Sequence, residues 1–306
     1  MPEATFPLVP RGRIVGLSFG AMRSARRGAG SDVAGSRPYV PGDSVAAIDW
    51  AASARLSSAR DGDEFVVRED YAEEAPRVVI VCDRRPEMQL VAAGLPWLRK
   101  AEAQRHAVEL IGGSAVAAHG FVGYLDYAEG GEHPFWLSPQ AQSLWALEER
   151  DEHRAAFDAP ADNITHALDF LLSHPRLVPA GTFVFVVSDF LVPPPLGMWS
   201  RAVEQHWDVV PVVLQDPVWE RSFPPVQSFV LPIADAHAEV REVRLRRSEA
   251  EARRSGNEAR WERLLAEFVY VDIEPVIVSF ADEEHVLRVF LDWAEERQAS
   301  LEGAGR

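Results

Sequence analysis

The chain has 306 residues, 47% of them hydrophobic and 25% charged, and a formal net charge of −16 at pH 7. That length can bury a large core, and the acidic balance speaks against a nucleic-acid partner, because phosphate binding needs a concentrated basic face. The single cysteine, Cys82, excludes an intrachain disulfide, and no apolar run reaches the roughly 18 residues of a membrane span, so a soluble cytoplasmic protein is expected.

Residues 1–76 read as an irregular N-terminal extension. It opens with an arginine-rich arm carrying Arg11, Arg13, Arg23, Arg26, Arg27 and Arg37, which is either solvated, paired with the acidic body, or available to an anionic surface. Pro41-Gly42-Asp43 is a turn signature, since proline presets φ and glycine admits positive φ. Asp43, Asp49 and Arg55 are near enough to form a polar network around that turn, with Tyr39 and Trp50 as packing anchors. Such a network serves to lock an irregular segment onto a domain. Residues 65–68 read as a short strand.

Residues 77–297 read as one α/β domain. Three apolar runs, a continuous β-branched one at 77–83 and others at 182–189 and 208–214, read as central parallel strands covered by helices. Helical spacing appears at 96–110, 163–173, 199–205 and 248–268. A terminal helix over 282–297 is capped by Asp282, and residues 298–306 are expected to be a flexible tail. Residues 268–273 and 276–280 read as strands, and Gly112-Gly113-Ser114 as a turn before a strand. The alternation predicts an open, mostly parallel sheet with helices on both faces. Asp83 and Asp189 close two of the strands, at the carboxyl ends where such sheets bind ligands.

The motifs Arg37-Pro38-Tyr39-Val40-Pro41-Gly42-Asp43, Ile48-Asp49-Trp50, Ser53-Ala54-Arg55 and Val67-Arg68-Glu69 are followed by Glu73 and Glu74. A second landmark is Asp216-Pro217 with Glu220-Arg221 and Pro224. Together they resemble the family known as domain of unknown function 58, over roughly residues 10 to 297. The resemblance implies a von Willebrand factor type A-like domain preceded by a signature-bearing extension. Such domains often hold a divalent cation through an Asp-x-Ser-x-Ser loop, a threonine and a third-loop aspartate. Octahedral oxygen ligation at about 2.1 Å suits magnesium.

This chain departs from that pattern. Arg85 and Glu87 stand where the two serines belong, Asp162 stands where threonine is expected, and only Asp83 and Asp189 match. The arginine that the family often carries near Ala46 or Ala47 is absent. At an effective dielectric of 20 and a separation of ~4 Å, Arg85 would repel a divalent ion by roughly 8 kcal/mol. Two arrangements stay open. Arg85 sits among Asp83, Asp162 and Asp189 in place of the cation, or it swings outward while Glu87, Asp162 and the two matching acids bind Mg or Mn.

By resemblance the chain is a non-catalytic adaptor for a MoxR-type AAA+ ATPase, with a degenerate metal-ion-dependent adhesion site and no cofactor. Its contact face would surround Asp83, Arg85, Glu87, Asp162 and Asp189. The alternative is a cation-dependent ligand-binding domain or metal-dependent enzyme using Asp83, Asp162 and Asp189. Enzyme signatures are otherwise missing. An aspartate nucleophile would want a second acid two residues on, where Arg85 stands, and there is no P-loop lysine, dinucleotide fingerprint or His-Glu-x-x-His helix. His119, His133, His153, His166 and His174 are scattered. Cys82 lies inside an apolar strand, and Trp97, Trp136, Trp145 and Trp207 read as packing residues.

Overall fold

The computed structural model of the chain describes residues 4–11, 17–41, 43–60, 64–89, 98–128, 133–140, 156–225, 229–234 and 240–304. Arg13, Gly42, Trp97, Trp145 and His153 lie outside them, as does the start of the helix expected over 96–110.

The core is a six-stranded sheet. In chain order its strands are β3 (Arg77–Cys82), β4 (Phe121–Asp126), β5 (Phe135–Gln140), β6 (Phe183–Ser188), β7 (Asp208–Leu214) and β10 (Val276–Val278). Their spatial order is β10-β7-β6-β3-β4-β5, parallel throughout except for β5, which runs antiparallel to β4 at one edge. Gly123 sits where β5 presses on β4, and a Cβ there would come within 2.8 Å of the Leu137 carbonyl oxygen. The chain steps from β3 outward to β4 and β5, then returns to the other side of β3 as β6. The carboxyl ends of β3 and β6 therefore flank the topological switch point, the usual ligand crevice of such sheets.

Helices cover both faces, as a sheet apolar on both sides requires. On one face α2 (Lys100–Ala117) and α6 (Glu283–Ala304) pack on Val78, Ile80, Phe183 and Phe185. On the other, α3 (Asn163–Ser173), α4 (Leu196–Glu204) and α5 (Arg247–Tyr270) pack on Val79, Val81, Val184 and Val186. This alternation along each strand follows from the two-residue repeat of a pleated backbone. The result is the type A-like α/β architecture that the resemblance implied. A separate hairpin pairs β8 (Phe229–Ala234) with β9 (Val240–Leu245).

The extension is more structured than the sequence suggested. A long ribbon pairs β1 (Leu17–Pro38) with β2 (Val66–Ala75) through several register shifts, with α1 (Trp50–Arg60) between them. Nor is the extension wholly separate, because Phe6 and Leu8 lie within the α2–α6 core. The Phe6 ring packs at a tilt against Phe290 and edge-on against Trp293, and its backbone N–H donates to Ser114 Oγ at 3.0 Å. This explains why Gly112-Gly113-Ser114 is not a turn. These small, buried residues stay helical inside α2, and the N-terminal segment lies against the helix at Ser114. Two other expectations are corrected at the carboxyl end. Residues 268–273 are the last turn of α5 and the turn after it, and α6 continues to Ala304, so residues 298–304 are helical. Asp282 does cap that helix, accepting the His285 N–H at 2.8 Å.

Candidate functional site

Arg85 follows β3 by three residues, and its side chain turns back into the crevice. Its Nη2 lies 2.6 Å from Asp83 Oδ2 and 2.5 Å from Asp189 Oδ1, bridging the ends of β3 and β6. From the first turn of α2, Lys100 Nζ reaches Asp189 Oδ2 at 2.7 Å and also pairs with Glu220. Arg85 and Lys100 are buried, and Asp83 and Asp189 are completely so. Burial opposes both cationic charges, yet Asp83 and Asp189 hold Arg85 protonated, and Asp189 and Glu220 hold Lys100 protonated. Burial likewise opposes the charge on Asp189, but Lys100 and Arg85 override it and lower its carboxyl pKa. At Glu220 burial prevails over Lys100 and raises the pKa.

The acids are saturated. Asp83 Oδ1 accepts from the Arg85 backbone N–H and Nε, each at 3.0 Å, and from Asn163 Nδ2 at 3.0 Å. Its Oδ2 accepts from Arg85 Nη2 and from Ser188 Oγ, both at 2.6 Å. Asp189 Oδ1 also accepts the Leu191 N–H at 2.9 Å. A carboxylate offers about four lone-pair sites, so little acceptor capacity remains for a metal. The residues present do not fit the divalent cation that the resemblance implies. Among the described residues, no group of three or more His, Cys, Asp or Glu is placed to hold a metal ion.

Of the expected site residues, Asp83, Arg85 and Asp189 come together. Asp162 does not join them. It lies at the start of α3 with its side chain outside, 3.2 Å from His166 one turn on, and the inward position falls to Asn163. Glu87 lies half-buried in the turn Pro86–Met88, and its Oε2 has no hydrogen-bond partner among the described residues. The four acids and Arg85 were expected to form a contact face; the buried members cannot touch a partner directly. Sequence reasoning missed Lys100, Gln104, Asn163, Ser188 and the role of Glu220. Gln104, one turn beyond Lys100, donates to the Asp83 carbonyl oxygen at 2.9 Å. A Lys and a Gln at i and i+4 in the helix after an acid-ended strand were the available signal.

The second landmark buttresses this network. Asp216 accepts the backbone N–H groups of Leu98, Val218 and Trp219, and Glu220 Oε2 accepts the Asp216 N–H. Arg221 lies over the Trp261 ring, 4.7 Å from its centroid, and donates to Ser279 Oγ at 3.1 Å. Beside the network, a cleft of about 250 Å³ is lined by Arg84, Gln104, Arg105 and Phe157 among others.

The signature motif forms two local devices rather than one network. Arg37 forks onto Asp43 at 2.6 and 2.7 Å, and Asp43 also accepts the Val40 N–H. Asp49 instead caps α1 by accepting the Ala52 N–H at 2.9 Å. Arg55 takes no part in either, donating to the Ala51 carbonyl oxygen. Tyr39 and Trp50 both meet Phe65 edge-on, and Trp50 stays 59% exposed. Ile48 bridges to Val67, and Pro41 lies at an exposed turn.

Among the described residues, no helix is long and apolar enough to cross a membrane. No curated protein matches the chain. Among solved structures it is similar to the conserved hypothetical protein BatB from Bacteroides thetaiotaomicron, at 15% identity and a TM-score of 0.37, over 64% of this chain and 98% of that one. An aerotolerance-related membrane protein from Bacteroides fragilis gives the same identity and score over 64% of this chain and 99% of its own. The family described as Protein of unknown function DUF58 matches residues 35–263, well over half of the 306, and this chain belongs to that family.

Proposed function

We propose that the chain is a non-catalytic protein-interaction module, an adaptor working with a MoxR-type AAA+ ATPase in protein remodelling or complex activation. One observation carries the reading. At the switch point, where a sheet of this topology receives its ligand, Arg85 and Lys100 pair with the strand-end acids under almost complete burial. The crevice is a degenerate cation site whose charges serve one another and, among the described residues, leave no free acid–base pair there. The ATPase is the partner class that the family resemblance implies.

What the strand-end face offers outward is its rim. Val192 follows β6 and Val218 follows β7, neighbouring strands of the sheet, and both side chains are about half exposed. Exposed apolar residues after two neighbouring strands suit a protein partner.

Affinity capture of the tagged chain from its native extract, with and without ATP, tests the reading. Recovery of an AAA+ ATPase by the wild type, lost in the double variant Val192→Asp/Val218→Asp, supports it. Absence of any ATPase, or capture indifferent to both rim substitutions, counts against it.

A further inference from the structure

We infer that Arg85 and Lys100 together are this chain's own substitute for a divalent cation, two tethered positive charges that make the strand-end site independent of metal. The inference rests on reading that site as a degenerate cation site, and it extends the reading by assigning half of the charge to Lys100.

The two cations come from different elements, Arg85 from the loop after β3 and Lys100 from α2, and meet at Asp189. Each takes its own oxygen of that carboxylate: Arg85 Nη2 takes Oδ1 and Lys100 Nζ takes Oδ2. Two positive side chains face the three carboxylates of Asp83, Asp189 and Glu220, so the pair supplies the charge that one divalent ion would. Guanidinium geometry suits this work, because Nε and Nη2 of Arg85 hold Asp83 together while Nη2 also reaches Asp189. Asn163 and Ser188 complete the shell by donating to Asp83, and Gln104 and Gln215 donate to the backbone carbonyls of Asp83 and Asp189. Burial strengthens these contacts and makes a missing charge costly. The site is thus stabilised by a +2 charge among its acids, and the chain provides it covalently.

The test uses the purified 306-residue chain and Mn²⁺ alone. For the wild type, melting temperature should be the same in EDTA and in millimolar MnCl₂, and titration calorimetry should register no binding. Arg85→Ser and Arg85→Ser/Lys100→Ala should melt lower in EDTA, recover by several degrees in MnCl₂, and bind Mn²⁺ at least tenfold more tightly than the wild type. Arg85→Lys, which keeps the charge, should be destabilised yet indifferent to Mn²⁺. Mn²⁺ binding by the wild type that is lost in Asp189→Asn would overturn the inference. So would failure of both charge-removing variants to gain any stability from Mn²⁺. Neither arm involves the ATPase, so a negative capture experiment and a negative result here are distinguishable.

Discussion

Lys100 and Asp189 stand 89 residues apart in the chain, yet Lys100 Nζ lies 2.7 Å from Asp189 Oδ2 beneath the protein surface. The contact ties the first turn of α2 to the end of β6, across the switch point of the sheet. Arg85 ties β3 to the same carboxylate. The centre of the strand-end face is therefore a rigid charged plug, and the loops around it are what another molecule can meet.

Removing the arginine from that plug leaves two buried acids undercompensated. Arg85→Ala should cost about 3–5 kcal/mol of unfolding free energy, against about 1–3 kcal/mol for Asn163→Ala, which removes one neutral donor from Asp83. Urea unfolding followed by tryptophan fluorescence measures both; equal losses would mean that the ion pair adds nothing beyond its hydrogen bonds.

The N-terminal segment should behave as part of the core. Phe6 is almost fully buried between Phe185, Phe290 and Trp293, so Phe6→Ala should cost about 3–5 kcal/mol, as truncation of a buried aromatic does. Deletion of residues 1–9 should do at least as much. Unchanged denaturation midpoints in both variants would show that the segment is detached.

Much of the sheet was legible in the sequence. β3, β6 and β7 are mostly apolar, valine-rich runs because both of their faces are covered, and the aspartates closing β3 and β6 pointed to the crevice. β4 was missed because Gly123 interrupts its pattern, for a reason visible only with β5 packed against it. Gly112-Gly113 misled because glycine is a poor helix former in isolation; buried packing inside α2 outweighs that preference. Lys100 was invisible because a lysine in the first turn of a helix ordinarily faces water. Asp162 was assigned one position too early, since the helix start turns Asn163 inward and leaves Asp162 outside.

The Arg37–Asp43 fork gives a pH signature. Hydrogen bonds from Arg37 and then from the Val40 N–H hold the Asp43 carboxyl at about 2, below its ordinary 3.8. A depressed folded value means that the contribution is complete above pH ~4 and fades as pH falls toward 2. Carboxyl-carbon NMR should give Asp43 a midpoint near 2 in the wild type and close to 4 in Arg37→Gln. A wild-type midpoint near 4 would show that the fork does not persist in solution.

The arginine-rich arm should not bind nucleic acid. β1 carries Arg23, Arg26, Arg27 and Arg37 against Asp32, and β2 carries Glu69, Asp70, Glu73 and Glu74 against Arg68, which gives +3 and −3 and a neutral ribbon. The register sets Arg23 opposite Glu73. Fluorescence anisotropy with a duplex oligonucleotide should show no binding at about 0.15 M salt, while micromolar binding with a steep salt slope would mean that the arm acts apart from its partner strand.

The most direct test of the metal-free plug is a crystal structure of the full chain grown in MnCl₂, with data collected at the manganese absorption edge. The expected result is no anomalous peak between Asp83 and Asp189, with the Arg85 guanidinium lying between them. A manganese peak on those two carboxylates, with Arg85 turned away, would contradict it.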